Sequence, residues 1–213
     1  MTAAAATAPA PTGRYLRRRW VTATTLGEVL GFCAPAVAGA ATYRAAAGPT
    51  YAALLAAGAV EGLCLGWAQA WALGPVLPSL SRRRFAAATS AAAVLAYAIG
   101  MAPSTFHDRL AGAAPALLWT LACVGAVVLL GSIGTAQWLV LRAARCHAPW
   151  WILTTAGGWL AGLAVFLLVA TPLWQPGQTP AVIAAIGVLA GLLMALTVAV
   201  VTAVAAVRLR PGT

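Results

Sequence analysis

Residues 82–103 read RRRFAAATSAAAVLAYAIGMAP, in which three consecutive arginines precede a segment of apolar and small residues without a charge. An α-helix needs about 20 mostly apolar residues to cross the roughly 30 Å hydrocarbon core of a bilayer. Segment 85–103 therefore predicts a transmembrane helix with a cluster of positive charge at its start.

The rest of the chain repeats this pattern. It is 62% hydrophobic and 8% charged, whereas a soluble domain carries about 25% charged residues. Proline and glycine fill short gaps between the apolar runs, so consecutive helices are expected to be antiparallel neighbours. Aromatic belts form at span ends, where the chain has Trp20, Phe85, Trp150, Trp151 and Trp174. The predicted fold is an all-α transmembrane bundle with the spans 20–42, 51–77, 85–103, 114–141, 150–173 and 181–207.

The positive charges indicate the orientation of the spans. All thirteen basic residues are arginines, and Arg44 and Arg109 are the two that lie in the outer set of gaps. Cytoplasmic loops carry an excess of positive residues, so both termini are predicted to be cytoplasmic. The other eleven occupy the alternate gaps: Arg14, Arg17, Arg18, Arg19, Arg82, Arg83, Arg84, Arg142, Arg145, Arg208 and Arg210.

The chain is expected to form one domain. Residues 1–13 are mostly Ala, Thr and Pro and predict a disordered cytoplasmic tail, and residues 14–210 predict a single six-helix transmembrane domain. Arginines before a moderately apolar run that ends in small residues are also typical of a signal peptide. Glu28 in the middle of that run favours a retained first span.

The net charge of +10 lies beside the membrane. It predicts contact with the lipid bilayer and with anionic lipids at the cytoplasmic face, and no nucleic-acid partner, because no nucleic-acid-reading motif occurs. Absence of lysine with abundant Ala, Gly and Arg is associated with high-GC bacterial genomes. We therefore expect a multi-pass protein of a bacterial inner membrane, with a membrane-protein partner or a homo-oligomer left open.

A shift of the chain by 68 residues superimposes spans two and three on spans four and five. Gly66 and Gln69 then align with Gly134 and Gln137, and Leu73 aligns with Leu141. Glutamine is rare in this chain and costly in lipid, so this match predicts a parallel internal repeat of helix pairs 2–3 and 4–5. Such copies are related by an axis along the membrane normal.

The second copy resembles a segment of uncharacterised bacterial multi-span membrane proteins. Those proteins carry a recurring Gly-x2-Gln-Trp-x2-Leu-Arg segment and then a helix that begins with Trp. The first copy here departs from the pattern, with Gly74 at the Arg position. The resemblance implies a topology and carries no activity. The residues that match are Gly134, Gln137, Trp138, Leu141, Arg142, Trp150 and Trp151.

Two acidic residues lie inside the predicted spans, and an unpaired ionisable group there costs at least about 2–3 kcal/mol. Glu28 and Gln69 fall at a similar depth on neighbouring helices, so Glu28 is expected to accept a hydrogen bond from the Gln69 amide. Glu61 is expected one or two turns further out. Since the spans contain no basic residue, one or both carboxyls are expected to hold a proton.

Small residues accompany both glutamines. Gly62 and Gly66 share a helix face with Gln69, and Gly134 shares one with Gln137. Small residues let helix backbones approach, and a glutamine beside them can hydrogen-bond across the contact. Helix packing is thus the favoured role of both glutamines, with ligand binding as the alternative. A Cys33–Cys64 bridge is conceivable at similar depth.

No catalytic or cofactor motif occurs. Hydrolase, zinc-protease and P-loop signatures are missing, and both histidines stand in loops, which excludes a bis-histidine haem within the membrane. His107 to Arg109 predict a solvated loop, because a catalytic triad needs residues from separate elements. We expect no enzyme, no catalytic residue, no metal site and no cofactor.

Two functions remain from the sequence. The first is a small transporter or permeation protein, or the membrane subunit of a transporter, with a proton or cation site at Glu28 and Glu61. Gln69 and Gln137 are further candidate ligands of that site. The alternative is a non-transporting membrane scaffold or assembly partner of a larger complex, in which these side chains only hold helices together.

Overall fold

The computed structural model describes residues 12–144 and 147–209, in which there are seven helices and no strand. Six of these helices are long and apolar enough to cross a membrane, as predicted. The helices are α1 (Gly13–Thr42), α2 (Ala47–Leu73), α3 (Arg82–Thr105), α4 (His107–Leu110), α5 (Pro115–Ala143), α6 (Trp150–Leu173) and α7 (Pro180–Arg208).

The first helix begins earlier than its apolar run. Thr12 caps α1 by accepting a hydrogen bond from the backbone N–H of Tyr15 at 3.2 Å, and the following arginines are good helix formers. Thr12 and Gly13 therefore begin α1 rather than end the predicted tail, whose residues 1–11 lie outside the described part of the chain. The helix α2 ends at Leu73, since Pro75 has no backbone N–H with which to continue the helical hydrogen bonds beyond Gly74.

The six long helices form a closed ring. Each packs mainly against its neighbours along the chain, and α7 packs against α1 to close the ring in the order α1, α2, α3, α5, α6, α7. This antiparallel order brings the starts of α1, α3 and α6 together with the ends of α2, α5 and α7. We call this the arginine-rich end, because Arg17–Arg19, Arg82–Arg84, Arg142 and Arg208 lie there.

The tightest core lies at the arginine-rich end. Trp20 and Trp151 meet edge to face with ring centroids 5.5 Å apart, and the Trp20 indole donates to the Thr202 hydroxyl at 3.0 Å. Trp20, Phe85 and Trp151 are almost completely buried. The expected aromatic belt is therefore wrong for these three residues, because large rings at this end fill the space between helices.

The outer surface suits hydrocarbon rather than water. The first half of α5 is largely exposed, with Trp119 and Val127 each 73% accessible. Exposed apolar side chains of this size are unfavourable in water but cost nothing in lipid. The six spanning helices and this surface are those of a multi-pass integral membrane protein.

The structure also bears on the cysteines and on the segment that contains the histidine at position 107. Cys33 and Cys64 are both free thiols, so the conceivable bridge is wrong, and Cys146 lies outside the described residues. His107 and Asp108 form an exposed contact of 3.6 Å at the start of the short helix α4. This exposure fits the solvated segment that was predicted there.

Candidate functional site

A cavity of about 310 Å³ lies inside the ring, from the middle of the bundle towards the end away from the arginines. All six long helices contribute to its wall. Glu61 and Tyr97 are its polar side chains, and the others are apolar or aromatic. The lining residues are Phe32, Glu61, Gly62, Leu65, Ala93, Ala96, Tyr97, Gly100, Met101, Leu129, Ile133, Trp159, Leu163, Phe166 and Met194.

Glu61 and Tyr97 form the polar spot of this cavity. The Tyr97 hydroxyl on α3 donates a hydrogen bond to Oε2 of Glu61 on α2, at 2.5 Å. A methyl group placed on Gly58 would lie 2.6 Å from the Tyr97 ring. The glycine therefore gives the ring room to lie flat against α2 and reach the carboxyl.

Glu28 lies beside this spot but behind the cavity wall. It is 1% exposed, and no described residue donates a hydrogen bond to either of its carboxyl oxygens in this structure. Its carboxyl interacts electrostatically with that of Glu61, and the two are close enough to form a hydrogen bond when one of them holds a proton. Gly31 makes the approach possible, since a methyl group there would lie 2.9 Å from the Cα of Glu61. The structure thus brings the two predicted acids together at the α1–α2 contact.

The depths of the two acids agree with the sequence argument, but one predicted bond does not form. Glu61 lies opposite Gly31, about one turn beyond Glu28. Gln69 does not donate to Glu28; its side-chain oxygen instead accepts a hydrogen bond from Gln137 at 2.7 Å. The prediction failed because depth alone does not define the rotation of a helix, and Gln69 faces α5.

Gln137 is the centre of a buried network on the arginine-rich side of the cavity. Its amide nitrogen donates to Gln69 and, at 3.0 Å, to the Thr89 hydroxyl. Its oxygen accepts from the Trp151 indole at 2.9 Å. Both amide hydrogens and the oxygen are thereby used, and four helices are tied together. Neither glutamine lines the cavity, so this arrangement favours the packing role over ligand binding.

The glycines next to this network lie at close helix contacts. Methyl groups on Gly62 and Gly66 would lie 2.6 Å from the Cα of Ser90 and 2.8 Å from the Cα of Ala86, both on α3. One on Gly134 would lie 2.9 Å from the Cα of Ile152 on α6. All three glycines therefore stand where two backbones need the space of the missing side chain.

The turn of α1 before Glu28 carries more unpartnered polar atoms. The hydroxyls of Thr24 and Thr25, one turn earlier on α1, also lack hydrogen-bond partners in the described part of the protein. No cluster of three or more His, Cys, Asp or Glu side chains is found there that could hold a metal ion. The acid pair can therefore hold or release a proton, and its carboxylate oxygens are ligands of hard cations and of amines.

Tyr97 is the functional candidate that the sequence reasoning missed. A tyrosine in the middle of a predicted span was a usable signal, because its hydroxyl needs a hydrogen-bond partner when it is buried.

Comparison with protein-family models, curated proteins and solved structures finds no match to this chain. The chemistry of the cavity and of the acid pair is accordingly the basis for assigning a function.

Proposed function

We propose that this protein is a small membrane transport protein that binds its substrate in the cavity at the centre of its six helices. The observation that carries the proposal is a cavity lined by every spanning helix, with one carboxyl at its wall. Its volume falls at the lower end of the about 300–1,000 Å³ that small-molecule sites occupy. An intramembrane carboxyl that faces a cavity is typical of transport sites.

The acid pair provides a means of coupling. Glu61 reaches the cavity, whereas Glu28 stands behind it with both oxygens unpartnered. A proton on one carboxyl changes the electrostatic cost of charge on the other. Binding or release of a proton at this pair would then alter the affinity of the cavity for a charged substrate. If both termini are cytoplasmic in a bacterial inner membrane, as predicted, the cavity lies in the half of the membrane that is away from the cytoplasm.

The alternative is a non-transporting scaffold, and one observation favours it. A groove on the outside of the ring, between α3 and α5, is lined largely by small residues such as Ala88, Ala92, Gly131 and Ala136. Small residues on a lipid-facing surface allow another transmembrane helix to approach closely. A scaffold would use this groove and would not need the cavity to communicate with water.

Access of water-soluble reagents to the cavity distinguishes the two functions. In a cysteine-free protein, Ala96→Cys places one thiol on the cavity wall, and Val127→Cys places a matched thiol on the lipid-facing surface. Cationic and anionic methanethiosulfonates are applied to spheroplasts and to inverted vesicles. We expect Ala96→Cys to react from at least one side with at least one reagent, and much faster than Val127→Cys.

Equal rates of thiol modification at positions 96 and 127 would contradict the transport proposal. Should Ala96→Cys react no faster than Val127→Cys from both sides and with both reagents, the cavity has no aqueous route. The transport proposal would then fail, and the scaffold would stand.

A further inference from the structure

Building on the proposed transport function, we propose that the cavity binds lipophilic organic cations, such as small amines that carry an aromatic or branched alkyl group. Four aromatic side chains line it, Phe32, Tyr97, Trp159 and Phe166, from three different helices. The face of an aromatic ring attracts a cation. Together with the Glu61 carboxyl they provide an apolar chamber with one group that can carry a negative charge.

Charge complementarity favours a cation over the other classes of solute. No basic side chain lines the cavity, and the Tyr97 hydroxyl already donates to Glu61. An anion would therefore meet the Glu61 carboxyl, and the indole N–H of Trp159 is the one other side-chain donor among the described residues of the cavity wall. Sugars and other polyhydroxylated solutes would lose their bonds to water against an apolar wall without replacement.

The second acid strengthens the preference. Glu28 interacts electrostatically with Glu61, and the groups that face Glu61 from the packed helices are Glu28 on α1 and the uncharged Tyr97 on α3. Two acids without a base form a site that lacks a positive charge. An organic cation supplies this charge and keeps its apolar part against Leu65, Ile133 and Met194, which also line the cavity.

The test compares three probes of similar shape and different charge. These are benzyltrimethylammonium, its uncharged carbon analogue neopentylbenzene, and the anion benzylsulfonate. Binding to the full chain in phosphatidylcholine nanodiscs is measured by equilibrium dialysis, with empty nanodiscs subtracted. We expect saturable binding of the cation above the empty discs, and no such binding of the neutral or anionic probe.

Substitutions on the cavity wall test whether the proposed residues bind the cation. Glu61→Gln should weaken cation binding about 10- to 100-fold, as expected for the loss of an interaction with a charged group. Trp159→Leu should weaken it about 2- to 30-fold through the lost ring face. Met194→Leu, a change of similar volume on the same wall, should leave binding within about twofold. Thermal melting of each variant in nanodiscs establishes that it is folded.

Three results would overturn the assignment of a cationic ligand and would not bear on whether the cavity is open to water. They are equal binding of neopentylbenzene and benzyltrimethylammonium, undiminished cation binding by folded Glu61→Gln, or no cation binding at all by the parent protein. In each case the thiol at position 96 still reports separately whether the cavity is open to water. Failure of the cation preference is thereby distinguishable from failure of transport.

Discussion

Glu28 and Gln137 show two ways in which this chain handles a polar side chain in a membrane. Each is 1% exposed. Gln137 uses every hydrogen-bonding atom of its amide on neighbouring helices, whereas both carboxyl oxygens of Glu28 lack a partner. A buried polar group without partners lowers stability. The position of Glu28 beside Glu61 is therefore compatible with the functional role that we propose for the pair.

The same substitution at these two positions should have opposite effects on stability. Glu28→Met removes unpartnered oxygens and should raise the free energy of unfolding by about 1–3 kcal/mol. Gln137→Met removes three hydrogen bonds and should lower it by about 1–3 kcal/mol. Thermal melting in detergent measures both. A fall in melting temperature for Glu28→Met would mean that Glu28 has a stabilising partner, which would contradict a functional site there.

At the scale of the helices, the sequence predicts that each helix exists and how long it is, but not how it is rotated about its own axis. Apolar runs of about 20 residues predict the six spans, because an α-helix of that length satisfies its backbone polar groups within its own segment. Helices such as α5 are apolar around most of their circumference, so composition does not indicate which face meets a neighbour. Rare polar residues identified Glu61 and Gln137, but their partners Tyr97, Thr89 and Trp151 required the packed structure.

The 68-residue repeat remains a prediction, and two geometric features at this scale are compatible with it. Gln69 and Gln137, which are equivalent in the two copies, hydrogen-bond to each other. Gly66 and Gly134, also equivalent, each meet the next spanning helix of their own copy. A contact between equivalent residues is what an axis between two parallel copies would produce.

Two glycines on one helix test the role of close contacts. Gly134→Leu should lower the free energy of unfolding by at least about 1–3 kcal/mol, because its side chain would overlap the backbone of Ile152. Gly131→Leu, one turn away, is the control, since a side-chain carbon there meets nothing within 4 Å. Melting in detergent should separate the two variants. Equal melting temperatures would show that the α5–α6 contact is not close.

At the scale of the whole molecule, the ring is asymmetric along its axis. Large aromatic and apolar side chains fill the arginine-rich end, the glutamine network follows it, and the cavity occupies the rest towards the other end. A substrate in this cavity would thus be separated from the arginine-rich side by a packed layer. The membrane side that each end faces then determines the side from which the cavity is reached.

The bias in the arginine positions predicts that the arginine-rich end faces the cytoplasm. A substrate would then reach the cavity from the outer side of the membrane. In a cysteine-free protein, Arg83→Cys lies at the arginine-rich end, and His107→Cys lies in the exposed segment at the other end. An impermeant thiol reagent added to intact cells should label position 107, and position 83 should react only after permeabilisation. The reverse pattern would place the cavity in the cytoplasmic half, so that the packed layer would block access from outside instead.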